Sequence, residues 1–228
     1  MRNISISMIT RLSLALLTTF FGQLAATNKP HEIWWENNLE SEEEYALFTS
    51  WLGKIQAPSR VAIRNHIYSK QYDSILDVPC GLCTDYYGFL DESSAIDYTG
   101  LDITPQLIQN GQEAGVPCVL GSIENIPFPE KSFDVTYSRH ILEHLDKYET
   151  ALNEIIRVSK KEALVVFFIK PSDNNQDSIR PGMYNDYLLY HNVYSREKLE
   201  NFLFQNPRVS SIEWQDVNRK EIILHIYL

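Results

Sequence analysis

Cysteine is scarce in this 228-residue chain: Cys80, Cys83 and Cys118 are all there is. Three is too few for a disulfide framework, and the odd number fits a reducing compartment better than an oxidising one. Basic clusters are missing as well. The 20 Lys and Arg face 30 Asp and Glu, the net charge is −10 and the pI is near 5.1. No run of Lys or Arg offsets this. An acidic surface repels phosphate backbones, so no nucleic-acid partner is expected and a small molecule is the easier substrate. There is no internal repeat and no low-complexity tract. The dinucleotide fingerprint G-x-G-x-x-G is absent, as is a phosphate loop ending Gly-Lys-Ser/Thr, which argues against a nicotinamide dinucleotide or a nucleoside triphosphate. The apolar run at residues 12–26, LSLALLTTFFGQLAA, is short of the roughly 20 residues of a membrane span.

What is present suits a globular protein. Apolar residues make up 44% and aromatics 12%, enough for a sizeable core and far from a disordered composition. The length fits one larger α/β domain with decorations. A basic start at Arg2 and Arg11, the apolar run and an Ala-Ala end make residues 1–28 signal-like. A cleaved signal, a membrane anchor with contact through residues 8–26, an organelle-targeting peptide and a plain apolar helix all fit. Residues 29–228 are expected to form the domain.

Residues 31–57, with Trp34, Trp35, Tyr45, Phe48 and Trp51, read as an N-terminal helical cap interrupted by Pro58. A helix is expected over 59–70. Strand and helix signals then alternate: strand 74–78, helix 84–90, strand 98–103, a helix begun by Thr104 and Pro105, strand 116–120 and strand 133–138. Leu145, Tyr148, Leu152, Ile155 and Ile156 share one helical face. Residues 163–169, ALVVFFI, read as a strand covered on both sides. A helix capped by Ser195 and two closing strands at 209–214 and 221–227 finish the chain. The expected architecture is α/β and doubly wound, a mostly parallel seven-stranded sheet with helices on both faces and a C-terminal antiparallel hairpin. Ligands in such sheets bind beyond the carboxyl ends of the strands.

The turn after the first strand holds a CxxC, in ILDVPCGLCTDYYGFL. A redox dithiol, half a zinc site and a ligand-cradling turn are the three readings. Asp77 three residues before Cys80, Pro79 in place of an aromatic, and a second strand ending in Asp102 count against the redox reading. Zinc needs about four ligands, and only Cys118 and scattered histidines remain. A tight turn and a helix N-terminus suit a carboxylate or phosphate.

These residues resemble the class I S-adenosylmethionine-dependent methyltransferases. ILDVPCGLCTDYYGFL is similar to that family's first motif, with Asp77 matching its acid and Gly81 its middle glycine. YTGLDITPQLI resembles the second strand and its acid, Asp102. GSIENIPFPEKSFDVTYSRHILEHL resembles the adenine loop, the fourth strand and the helix after it. The likeness spans about 58–170. It implies S-adenosylmethionine as cofactor and methyl transfer as the reaction. It implies a cofactor site at Asp77, Pro79, Cys80, Gly81 and Cys83, with Asp102 and Ile103 at the ribose, Ser122 and Ile123 at the adenine, and Ser138 to His140 under the methyl group. Pro79 and Cys83 depart from the family's outer glycines, and Ser122 from its usual Asp, so a cofactor-binding protein without catalysis is the alternative. His140 is the candidate base. A secreted methyltransferase would lack its cofactor, so a cytoplasmic domain, free or tethered by the N-terminal segment, is expected, with an organelle or the secretory pathway after cleavage as the alternative.

His140, Glu143 and His144 also match H-x-x-E-H, an inverted zinc-protease motif that puts both histidines on one helical face; no metal is expected there. Residues 171–194 form a long polar insertion, a candidate substrate lid. His144, Tyr184, Tyr187 and Tyr190 are the candidate substrate residues, against plain packing of tyrosines onto the domain.

Overall fold

The computed structural model describes residues 53–91, 96–184 and 187–228, with Lys29, Ile33, Trp35, Ala46, Thr49 and Ser50 before them. Residues 1–28 and most of the expected 31–57 cap lie outside the described residues. No helix among the described residues is long and apolar enough to cross a membrane.

Helix α1 (Pro58–Lys70) starts with proline at its first turn and stops at Gln71, whose left-handed backbone turns the chain. Then come β1 (Ser74–Asp77), α2 (Thr84–Asp91), β2 (Asp97–Asp102), α3 (Pro105–Glu113), β3 (Cys118–Leu120) and β4 (Phe133–Arg139). A single 3-10 turn, Leu142–His144, precedes α4 (Glu149–Val158) and β5 (Ser159–Phe167). A small hairpin, β6 (Pro181–Tyr184) with β7 (Tyr187–Tyr190), leads to α5 (Arg196–Phe204), β8 (Ser211–Asp216) and β9 (Ile222–Tyr227). The Ser195 hydroxyl caps α5 by accepting from the Lys198 N–H.

The main sheet has seven strands in the order β3-β2-β1-β4-β5-β9-β8. Its first five strands are parallel. β9 runs antiparallel to β5, and β8 to β9. The doubly wound sheet and its closing hairpin are therefore as the sequence pattern implies. Successive residues of one strand feed opposite layers: Ile75, Leu164 and Val166 pack with Ile63 and Ile67 of α1, while Leu76 and Val165 pack with Leu152 and Ile155 of α4. Strand β5 is buried throughout its second half because helices cover both faces.

Two expectations need correction. The H-x-x-E-H segment is not a helix. His140 ends β4 with φ of 58°, and His144 closes the 3-10 turn. Leu145 is extended, so the amphipathic helix begins only at Glu149. The polar insertion is not a plain loop: the tyrosine-rich part pairs with itself as β6 and β7. Aromatic and aliphatic residues on either side of Asn185-Asp186, a pair of turn-favouring residue types, favour a hairpin despite the flanking polar residues.

Candidate functional site

Strand order reverses between β1 and β4, which places a crevice beyond the carboxyl ends of β1 and β2. The crevice is lined by Trp35, Val78, Pro79, Leu101, Asp102, Ile103, Gly121, Ser122, Ile123, Ile141 and Leu145. Its walls are mostly aliphatic, and among the described residues Asp102 is the one charged group on them.

The turn from β1 to α2 is wound tightly. Val78–Pro79 is cis, and both Gly81 (φ 54°) and Cys83 (φ 52°) are left-handed. Glycine takes that backbone without strain, whereas cysteine does not. The turn is tied to β2 twice. The Cys80 N–H donates to the Leu101 carbonyl at 2.9 Å, and the Gly81 N–H donates to Asp102 Oδ2 at 2.8 Å. The Thr104 N–H donates to Asp102 Oδ1 at 2.9 Å. Burial raises the Asp102 carboxyl, and the Thr104 and Gly81 N–H bonds oppose it. A carboxylate oxygen can accept more than one hydrogen bond, so these contacts do not exhaust Asp102.

Asp77 is turned to the other layer. Its Oδ2 accepts from the Tyr98 hydroxyl at 2.7 Å. Burial pushes it up to about 7, against that hydrogen bond and the Arg60 charge. Cys80 and Cys83 point into the core with Sγ atoms 3.5 Å apart, beside buried Cys118. The Cys83 contact lowers the Cys80 thiol, but burial with the Asp102 and Asp77 charges prevails and pushes it up to about 12. The Cys118 contact lowers Cys83, but the Cys80 contact and burial prevail and raise it, and the Cys83 contact and burial raise Cys118. A redox dithiol needs a depressed, accessible thiol, and these are the reverse.

Ser138 is fully buried on β4. His140 follows two residues later, and its Nε2 lies 2.9 Å from Glu221 Oε1. Glu221 also accepts from Ser59 (2.8 Å), Arg139 (3.0 Å) and Asn218 (2.7 Å). Burial raises Glu221, but the hydrogen bonds from His140, Ser59 and Asn218 and the Arg139 charge hold it well below the usual range. Burial pushes His140 down to about 4 against the Glu221 bond. The ring is neutral at pH 7, donates through Nε2 to the carboxylate and leaves Nδ1 with its lone pair.

Residues 76–167 match the family model described as a methyltransferase domain. An uncharacterized methyltransferase of Schizosaccharomyces pombe is 30% identical over 135 residues, 54% of this chain and 48% of that protein. The chain thus spans about half the length of the first curated relatives it matches, or less. Among solved structures, the PH0226 protein of Pyrococcus horikoshii superposes with a TM-score of 0.60 at 16% identity, covering 82% of this chain and 99% of that one. The Burkholderia thailandensis 1,6-didemethyltoxoflavin-N1-methyltransferase, solved with bound 1,6-didemethyltoxoflavin and S-adenosylhomocysteine, gives 0.52 at 15% identity, covering 100% and 92%. Residues 76–167 thus carry a methyltransferase domain, similar to those of the class I S-adenosylmethionine-dependent methyltransferases.

The crevice gathers Pro79, Asp102, Ile103, Ser122 and Ile123. Asp77, Cys80, Gly81, Cys83 and Ser138 stand behind it as turn and core. The Ser122 hydroxyl accepts from the Glu124 N–H at 3.2 Å. His144 is buried, with Nδ1 2.8 Å from the Tyr190 carbonyl. Burial pushes it down to about 4. It packs against Trp35, Phe168 and His191 at centroid distances of 5.5, 5.2 and 5.1 Å. Tyr190 therefore meets this cluster through its backbone, and Tyr187 is half-buried beside it in sequence on β7. Tyr184 ends β6.

Sequence reasoning missed Gly121, Ile141 and Leu145 on the crevice wall. Gly121 carries a legible signal in hindsight: a Cβ there would meet Leu101 Cδ1 and Pro127 Cδ at 3.2 Å. Ile141 and Leu145 were hidden by the helical reading of their segment. Glu143 was read only as part of the H-x-x-E-H match, not as a structural anchor. It is fully buried, and its Oε1 accepts the Phe168 and Ile169 N–H groups at 2.7 and 3.1 Å. It thereby fixes the end of β5, below Phe168 and the histidines.

Proposed function

We propose that this protein binds S-adenosylmethionine in the β1–β2 crevice and transfers its methyl group to a small-molecule acceptor. The observation that carries the reading is Asp102. It sits at the end of β2 on an otherwise aliphatic wall, anchored through both oxygens to backbone N–H groups with lone pairs left over. That arrangement suits a pair of vicinal hydroxyls, and Ile103 and Ile123 supply an apolar slot for a flat base. The residues present fit the cofactor. Bound there, it supplies a methyl group on a positively charged sulfur, which is electrophilic without further activation.

The chain's own part is then alignment and exclusion of water. Pro79, Gly81 and the cis turn would wrap the amino-acid portion of the cofactor, and Ser138 would lie under the reacting end. The acceptor would enter between the crevice and the Phe168–His144–Tyr190 cluster, with the β6–β7 hairpin beside it. His140 would take a proton at Nδ1, with Glu221 holding the ring by its Nε2–H. It would be a weak base, suited to an acceptor that loses its proton late. The tyrosines of the hairpin would serve as pocket wall. The reading places the domain where the cofactor is made, in the cytoplasm.

Titration calorimetry with S-adenosylmethionine and S-adenosylhomocysteine tests this. Binding to the full chain, weakened at least tenfold by Asp102→Ala, is expected. Absence of heat at millimolar ligand would sink the proposal. Methyl transfer into metabolite extracts then identifies the acceptor. Binding without transfer into any extract would favour a silent cofactor-binding protein, the reading to which the strained Cys83 backbone gives some support.

A further inference from the structure

A second cluster of ligating side chains lies away from the crevice, toward the amino-terminal end of β5. His66 of α1, Glu162 of β5 and His225 of β9 bring their ligand atoms within 4.8 Å of one another. Among the described residues this is the one His/Cys/Asp/Glu group that converges in this way. His66 Nε2 is 2.8 Å from Glu162 Oε2. His225 Nδ1 is 2.9 Å from Glu162 Oε1. The Tyr72 hydroxyl donates to Glu162 Oε2 at 2.6 Å. Glu162 is fully buried and His225 nearly so, while His66 keeps 15% of its side chain exposed, which leaves a path in from solvent.

The far side of His225 makes this more than a relay of hydrogen bonds. Its Nε2 is 3.0 Å from Gln215 Oε1, so both ring nitrogens face oxygen acceptors. A neutral imidazole carries one hydrogen. If Nε2 gives it to Gln215, Nδ1 presents a lone pair to a carboxylate, a contact that either a bound cation or a second ring proton would resolve. A ligating histidine whose other N–H is held by an oxygen acceptor is the usual setting of a metal-bound imidazole. The neighbouring lysines are otherwise engaged: Lys161 binds Asp134 at 2.8 Å, and Lys70 lies over the Tyr227 ring.

We propose that His66 Nε2, His225 Nδ1 and the Glu162 carboxylate form a divalent transition-metal site, with Zn²⁺ the best match. Two imidazoles and one carboxylate suit zinc, with the fourth position open to the Tyr72 hydroxyl or a water. Bonds of about 2.0–2.2 Å set tetrahedrally place ligand atoms roughly 3.3–3.5 Å apart, so the contacts to Glu162 would open by about 0.5 Å and the widest separation would close. The ion would pin α1 to the adjacent strands β5 and β9. It is a structural clamp, independent of the methyl-transfer reading.

The test uses the full chain stripped with EDTA and titrated with ZnCl2 by calorimetry. One equivalent is expected to bind. His66→Gln and His225→Gln should each weaken binding at least tenfold, and Gln215→Leu by about tenfold through the lost orientation of His225. Zinc should raise the thermal midpoint of the wild type and not of the two histidine variants, whose folding in EDTA is checked by circular dichroism. The Co²⁺-loaded wild type provides a readout that needs no variant: visible bands of a tetrahedral nitrogen–oxygen site without a sulfur-to-cobalt charge-transfer band. No heat with zinc overturns the proposal and leaves an imidazolium–carboxylate pair. Binding that survives both histidine substitutions, or a charge-transfer band from the buried cysteines, overturns it as well.

Discussion

The backbone N–H of Gly81 donates to Asp102 Oδ2 at 2.8 Å, joining two strand ends that lie 21 residues apart in the chain. The carboxylate thus organises the cofactor turn before any ligand arrives. Asp102→Ala is expected to act twice. On the proposed reading it removes the acceptor for two ribose hydroxyls, and hydrogen bonds to a charged group contribute about 1.5–3 kcal/mol each. Calorimetry should show S-adenosylhomocysteine affinity falling tenfold or more. It also leaves the Gly81 and Thr104 N–H groups without an acceptor, so thermal unfolding without ligand should shift down too. A variant that binds as tightly as the wild type would place the cofactor elsewhere.

Glu221 is the shared acceptor of Ser59, Arg139, His140 and Asn218. Removing the partner of a largely buried ion network is expected to cost about 3 kcal/mol in Glu221→Ala. The pH dependence has a definite sign. The folded carboxyl titrates below its unfolded value of 4.5, so its stabilisation is complete above that pH and fades as the pH falls further. Urea unfolding of both proteins should show a gap at pH 7 that narrows below 4.5. A gap that is flat with pH would mean the carboxylate charge contributes nothing.

Glu143 runs the other way. Burial raises it from 4.5 to about 7, against the N–H bonds of Ile169 and Phe168. A raised folded value means the fold retains a proton that the unfolded chain sheds, so this residue weakens the fold as pH rises from about 4.5 to 7. Glu143→Gln keeps an acceptor for the two N–H groups and cannot ionise. Relative to the wild type it should gain about 3 kcal/mol between pH 4.5 and 8. Equal pH profiles for the two proteins would show that Glu143 is ionised normally.

The parallel sheet was legible because its strands are short apolar runs set between helices with clear starts, such as Thr104-Pro105 and Ser195. The crevice was legible in part, through Asp102 and the segment from Ser122. What escaped was local. The Met-Tyr and Tyr-Leu-Leu-Tyr blocks of 181–190 were masked by the polar residues before them. The 140–145 segment has helical spacing, but His140 takes a left-handed backbone at the strand end and breaks the period. The His66–Glu162–His225 cluster was invisible because its members are 96 and 63 residues apart. Only the antiparallel register that sets His225 opposite Leu164 brings them together.

The two thiols of the CxxC test the reading of the turn from a different side. Cys80 and Cys83 are buried at 4% and 1% exposure, and Cys118 packs behind them at 3%. Their raised ionisation leaves almost no thiolate at pH 8, and the thiolate is the species that attacks a disulfide reagent. The native protein should therefore release no chromophore from an aromatic disulfide reagent on the timescale of free cysteine. All three thiols should react once urea unfolds the chain. Bound S-adenosylhomocysteine should slow the residual native reaction further, because closing the turn suppresses the local opening that exposes the sulfurs. Fast labelling of Cys80 in the folded state, or recovery of a Cys80–Cys83 disulfide from a reduced preparation handled in air, would reinstate redox chemistry and undo the account of this turn as a cofactor cradle.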